Sequence, residues 1–262
     1  MKQPKKSLGQ HWLHDVAALS AMCDAAGVGP GDVVLEIGPG LGTLTKQLVE
    51  RAGQVTAVEF DERLADTLAK RISAPNLTVI RQDILKFDLT KLPSGYKIVA
   101  NIPYYLTSNL IRTISESENP PSVAALLVQK EVAERVAARP GAMSLLSVTA
   151  QFYWKVHTGR VVEAALFTPP PKVDSQILVL EGRAEPLFPD VDTGRFFRLV
   201  KAGFSARRKT LQNSLSGGLR IDKIRAGELL DGAGLDPGLR PQSLSLPQWH
   251  ELYQAARSQE VI

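Results

Sequence analysis

Asn101, Ile102, Pro103 and Tyr104 stand together at the end of the short apolar run KIVAN, residues 97–101. An amide, a proline-fixed turn and an aromatic ring in that order suit the grip of a planar base. The side-chain oxygen of Asn101 and a turn carbonyl, that of Ile102, can accept the two hydrogens of an exocyclic amine, while Tyr104 stacks on the ring. An adenine N6 amine is a poor nucleophile because its lone pair is delocalised into the ring. Acceptors on both hydrogens favour a tetrahedral nitrogen that can attack a methyl group in line, and no strong base is required. Stacking is worth about 1 to 3 kcal/mol and helps offset the cost of taking a base out of its own stack. Asn-x-Pro-Tyr is also an ordinary turn sequence, so this set needs company.

The company is a glycine loop and two acids. Glu36-Ile37-Gly38-Pro39-Gly40-Leu41-Gly42 follows a predicted strand and opens a helix, where glycines let backbone approach a ligand closely. A nicotinamide fingerprint needs G-x-G-x-x-G, but here the third glycine comes one place early and Thr43 stands where it belongs. Pro39 removes an amide donor, which argues against a pyrophosphate cradle. Glu59 closes the second strand, where an acid accepts hydrogen bonds from ribose hydroxyls, and Asp83 lies just past the third, where a carboxylate can accept from an adenine amine. Each feature alone is equally a structural turn or a helix cap. Their joint placement outlines an adenosine-shaped slot and favours S-adenosylmethionine over NAD. His11 and His14 have no accompanying ligand cluster, so no metal is expected.

These stations must be carried by a sheet. VVLEIG (33–38), VTAVEF (55–60), LTVI (77–80), KIVAN (97–101) and VAALLV (123–128) are short, apolar on both faces and bounded by breakers, the pattern of buried parallel strands. Between them Leu41, Leu44 and Leu48, then Leu64, Leu68 and Ile72, form single apolar helix stripes. The fold class is therefore α/β, a Rossmann-like methyltransferase sheet, mostly parallel. FYWKVH (152–157) and SQILVLE (175–181) flank the proline-rich FTPPPK and predict an antiparallel last strand. A catalytic domain is expected over residues 1–182 and a small basic helical domain over 183–262, its few helices packed onto the main domain without a second large core.

The 262 residues carry 31 Lys plus Arg against 27 Asp plus Glu, a net charge of +4 that matters less than its distribution. Arg195, Arg198, Lys201, Arg207, Arg208, Lys209 and Arg220 fall between Thr193 and Ile221 with no acid among them, and Lys2, Lys5 and Lys6 precede the first acid, Asp15. Such runs are solvated faces or nucleic-acid footprints. The single Cys23 excludes an internal disulfide framework and suits a reducing compartment. No signal-peptide core and no apolar run of about 20 residues is present, so a soluble cytoplasmic protein with no membrane partner is expected.

Eight blocks in order resemble the ribosomal RNA adenine N6-dimethyltransferases, most closely the bacterial enzymes acting on 16S ribosomal RNA: SLGQHWLHD (7–15), VLEIGPGLGTLT (34–45), VTAVEFDERL (55–64), RQDIL (81–85), VANIPYYLTSNLI (99–111), LVQKEVAERV (127–136), FTPPPKVDS (167–175) and FSARRKTLQNSL (204–215). The resemblance implies dimethylation of two adjacent adenines near the 3′ end of 16S ribosomal RNA, within a 30S subunit or its precursor, by a monomer using S-adenosylmethionine. It implies catalytic Asn101 and Tyr104, cofactor contacts at His11, Leu13, Gly38, Glu59, Asp83 and Asn101, and substrate contacts at Ile102, Tyr104, Phe167, Arg207, Arg208 and Lys209, with Phe167 a second stacking face. Two positions depart from the family's pattern, His11 where asparagine is frequent and Asn109 where proline is frequent. The alternatives are a 23S ribosomal RNA adenine methyltransferase of the macrolide-resistance type, a non-catalytic assembly factor, and an NAD-dependent oxidoreductase. The complete FTPPPKVDS and RRKTLQNSL segments argue against the first.

Overall fold

The computed structural model describes residues 10–206 and 208–262; Lys2, Lys5, Lys6 and Arg207 lie outside the described residues. In chain order the elements are β1 (Trp12–Leu13), α1 (Val16–Ala25), β2 (Val33–Ile37), α2 (Thr43–Arg51), β3 (Gln54–Glu59), α3 (Glu62–Arg71), β4 (Leu77–Arg81), β5 (Lys97–Asn101), α4 (Thr107–Ser115), β6 (Val123–Gln129), α5 (Lys130–Val136), α6 (Leu145–Tyr153), β7 (Trp154–Val162), β8 (Phe167–Thr168), β9 (Ser175–Gly182), α7 (Thr193–Gly203), α8 (Leu211–Leu219), α9 (Lys223–Gly232) and α10 (Leu246–Ser258). None of the described helices is long and apolar enough to cross a membrane.

Seven strands form one sheet in the order β4-β3-β2-β5-β6-β9-β7. The first five pair in parallel, and β9 inserts antiparallel between β6 and β7. Both faces of β2, β5 and β6 are covered, which is why their runs read as continuous apolar segments: Val34, Leu35, Ile98, Val99 and Leu126 are all fully buried. Helix α2 buries Leu44 and Leu48, and α3 buries Leu64 and Leu68, as their stripes require. Leu41 instead stays in the loop ahead of α2. Asp61 starts α3 by accepting the Arg63 N–H at 3.0 Å.

Two local differences from the sequence reading have physical causes. Phe152 and Tyr153 end α6 rather than starting a strand, and β7 runs on to Val162 through a stretch exposed from Thr158 to Val161. That edge strand buries too little to show an apolar pattern. The two-residue strands β1 and β8 pair antiparallel, Trp12 opposite Thr168 and Leu13 opposite Phe167, a contact that depends on tertiary structure alone.

The chain divides into two compact units, one of residues up to 134 with 154–182, the other of 135–153 with 183–262. The second unit thus takes in 135–153, and its helices build a core of their own. Phe196, Leu199, Val200, Leu215, Trp249 and Leu252 are buried there, joined by Met143, Val148 and Phe152 from the earlier segment. The expectation of helices without their own core is corrected by that apolar supply from 135–153.

Candidate active site

The carboxyl ends of β2, β3, β4 and β5 surround a cavity of about 230 Å³. Strands of a parallel sheet all release their chains at this edge, so residues far apart in sequence meet there. His11, Leu13, Gly38, Glu59, Asp83, Asn101, Ile102 and Tyr104 all line it.

The glycine loop turns on left-handed residues: φ is 66° at Gly38, 56° at Gly40 and 80° at Gly42. A Cβ at Gly38 would meet nothing within 4 Å, so the loop presents bare backbone to open space. Glu59 fastens the loop by accepting the Gly40 N–H at 3.0 Å and the Asp61 N–H at 2.8 Å. A carboxylate has about four lone-pair sites, so Glu59 retains capacity for a diol. Burial raises its pKa, against the two amide hydrogen bonds, and the Asp61 charge adds to the rise. Asp83 caps the short turn after β4 through the Leu85 N–H at 3.0 Å. It is therefore both a cap and a cavity residue.

Asn101 closes β5 and donates its Nδ2 to the His11 carbonyl at 3.3 Å. The amide is thereby oriented, and its Oδ1 has no partner among the described residues. Pro103 leads into a one-turn helix, Tyr104–Leu106, and the Thr107 hydroxyl donates to the Tyr104 carbonyl at 3.1 Å. The Tyr104 hydroxyl pairs with Ser175 Oγ on β9 at 2.8 Å. Burial holds the phenol above its ordinary range, the Ser175 bond opposing and the Asp174 charge assisting. Tyr104 is thus a neutral ring fixed at both ends.

His11 lies nearly parallel to Tyr104, ring centroids 6.0 Å apart at 21°, and Nδ1 pairs with the Pro169 carbonyl at 2.8 Å. A carbonyl only accepts, so Nδ1 carries the proton and Nε2 is the free nitrogen. Asn109 is exposed in the first turn of α4, outside the cavity, at a place where proline is equally tolerated.

Phe167 is not brought to the cavity. It is 3% exposed and packs in the core with Leu13, its β8 partner on β1. The expectation that it offers a stacking face is corrected on that ground. Arg208 and Lys209 are exposed in the second unit, just ahead of Thr210, which caps α8.

Three cavity residues escaped the sequence reading. Glu36 is 1% exposed, and neither of its carboxyl oxygens has a hydrogen-bond partner among the described residues. Burial pushes its pKa up to about 8; Thr45 stands close enough to oppose the rise without meeting hydrogen-bond geometry, and Glu59 adds to it. An acid inside the run VVLEI was the available signal. Trp12 also lines the cavity, its indole N–H without a hydrogen-bond partner among the described residues. Tyr105 lines it with a largely exposed ring, which no sequence pattern announces.

The chain has relatives along most of its length. The "Ribosomal RNA adenine dimethylase" family profile matches residues 1–233. A "Ribosomal RNA small subunit methyltransferase A" of Dehalococcoides mccartyi is 42% identical over 252 residues, covering 95% of this chain and 87% of the relative. The protein of the same name from Streptococcus pneumoniae serotype 2 is 39% identical over 268 residues, covering 97% and 92%. Among solved structures, a dimethyladenosine transferase from Plasmodium falciparum superposes with a TM-score of 0.83 at 26% identity, covering 95% of this chain and 98% of that one. The 23S rRNA methyltransferase ErmE follows at 0.75 and 32%, covering 93% and 98%. A family match over most of the chain, on a sheet whose strand ends gather the motif residues, places the protein: it belongs to the ribosomal RNA adenine dimethylase family.

Proposed function

We propose that the protein transfers methyl groups from S-adenosylmethionine to N6 of adenine in small-subunit ribosomal RNA, two per base, on two adjacent adenines near the 3′ end of 16S ribosomal RNA. The observation that carries this reading is the meeting, in one cavity, of Glu59 and Asp83 with the free Oδ1 of Asn101 and the anchored ring of Tyr104.

The residues fit that donor. Bare backbone at Gly38 admits a close approach, Glu59 has lone pairs left for ribose hydroxyls, and Asp83 can accept from an adenine amine. Leu13 contributes an apolar wall, and His11 offers Nε2 to the methionine part. Bound S-adenosylmethionine supplies an electrophilic methyl on a sulfonium. Asn101 Oδ1 and the Ile102 carbonyl accept the two N6 hydrogens and turn the nitrogen's lone pair toward that methyl. As the N–CH3 bond forms and the S–CH3 bond breaks, its electron pair leaving with sulfur as a neutral thioether, the positive charge passes to N6, and both acceptors stabilise it. The cationic nitrogen then loses its proton to water. Tyr104 holds the everted base by stacking.

Arg208 and Lys209 contact RNA phosphates in this reading, as does Arg207, with the N-terminal lysines an outer contact. The substrate particle is a 30S subunit or its precursor, and the protein acts as a cytoplasmic monomer. ErmE, at 32% identity, keeps a 23S target in view as the second reading. Incubation with S-adenosylmethionine and either 30S or 50S precursors, followed by mass spectrometry of the RNA, separates them. A mass gain confined to two neighbouring adenosines of 16S ribosomal RNA is expected; modification of 50S particles alone would overturn the assignment.

A further inference from the structure

Three of the seven large apolar side chains left exposed among the described residues, Phe60, Leu85 and Tyr105, line the same cavity. Scattered singly they would need no explanation; gathered at one opening they mark a contact surface. Phe60 follows Glu59, and Leu85 sits two places past Asp83, so both belong to the side that holds adenosine. Tyr105 stands apart from them in the turn that carries Asn101 and Tyr104, and it is 66% exposed.

We propose that Tyr105 is a stacking platform for the RNA base next to the one held by Asn101 and Tyr104, and so adds to the grip on the single-stranded substrate segment whatever its flanking base. The proposal rests on the reading of RNA as substrate. Tyr104 is not available for a second base, because its hydroxyl is tied to Ser175 and His11 lies against its ring. Phe167 is buried with Leu13. Tyr105 is the aromatic residue of this turn that remains uncommitted, with no hydrogen bond or ring contact to the described residues. Its Cα lies about 3.8 Å from that of Tyr104, so the two rings leave the backbone close together while only one is tied down. Every base has a π face, so the platform grips a flanking nucleotide without reading its identity.

The test uses full-length protein, unmethylated 30S particles and S-adenosylmethionine, with Tyr105→Ala, Tyr105→Leu and Tyr105→Phe. An exposed side chain can be truncated without a cavity in the core, so all three variants fold. Tyr105→Ala should weaken 30S binding by about tenfold and act on KM more than on kcat, in line with the loss of one base stack. Tyr105→Leu, of similar bulk but no π face, should behave like Tyr105→Ala, and Tyr105→Phe should keep most of the affinity. Donor affinity by calorimetry should be the same in all. Wild-type binding by Tyr105→Ala, or equal binding by the Leu and Phe variants, would overturn the proposal. A wild-type protein that leaves 30S particles unmethylated would instead overturn the function reading, so the two failures are distinct.

Discussion

In the proposed reaction Asn101 and Tyr104 act only in fixed orientations, and each is held by a neighbour distant in sequence. The His11 carbonyl takes Asn101 Nδ2, and Ser175 takes the Tyr104 hydroxyl. Asn101→Ala should lower kcat on the order of 100-fold with donor affinity less affected, because a charge-stabilising acceptor is lost. Tyr104→Phe and Ser175→Ala remove the same bond. Each should cost about 1 kcal/mol, roughly fivefold in turnover on 30S particles, and the double variant should cost no more than either single one. Glu36 is expected to contribute to the pH response. Its pKa rises from 4.5 to about 8 on burial, so above about 4.5 the folded chain keeps a proton that the unfolded chain releases. Its contribution to stability is therefore present at low pH and lost as pH climbs toward 8. Denaturant titrations from about pH 5 to 8 should show that decline, and Glu36→Gln should flatten it. A cationic donor favours the charged carboxylate, so S-adenosylmethionine affinity should rise over the same window in the wild type and rise less in Glu36→Gln, where Glu59 still titrates. Glu59, Asp83 and Asn101 were legible in the sequence because they punctuate strand ends. Glu36 and Tyr105 were not, since the importance of one lies in burial and of the other in exposure. Phe167 was misplaced because an aromatic in a proline-rich loop looks available until β1 covers it.

Elements that bury both faces were the readable ones. The runs at 33–38, 55–60, 77–80, 97–101 and 123–128 each became a strand of the parallel sheet, with ends shifted by a residue at most. Strand β7 was half lost because its exposed length alternates nothing, and β1 with β8 are too short to carry any period. Helix α7 buries Phe196, Leu199 and Val200. How closely α8 approaches it is set by a single hydrogen: a Cβ at Gly218 would stand 2.5 Å from Ala202 Cα and 2.7 Å from its carbonyl oxygen. Backbone cannot yield as a side-chain tip can, so Gly218→Ala should force the two helices apart. We expect a loss of about 1 to 3 kcal/mol in the unfolding of the second unit, read by thermal denaturation, with S-adenosylmethionine binding to the first unit retained.

At the scale of the whole molecule, chemistry and charge are divided between two cores. The cavity and every residue in it belong to the first unit, while the described members of the basic run, Arg195, Arg198, Lys201, Arg208, Lys209 and Arg220, belong to the second. The change in pattern near residue 182 falls where the second unit resumes at Arg183, but residues 135–153 read as a continuation of the first unit because the Pro140-Gly141 breaker there looks like an ordinary turn and does not announce that Val148 and Phe152 pack elsewhere. If the basic run meets phosphate, binding to 30S particles should weaken with salt by about 0.7 log unit per released counterion for each tenfold rise. Arg208→Ala with Lys209→Ala should reduce that slope, measured by filter binding over a salt series. The central claim is that a methyl donor and an everted adenine meet beside Asn101. Its most direct test is a crystal structure of the protein with S-adenosylmethionine. The ribose is expected on Glu59, with the methyl facing the space between Asn101 Oδ1 and the Tyr104 ring; an Asn101 amide turned away from the methyl would overturn the proposed reaction.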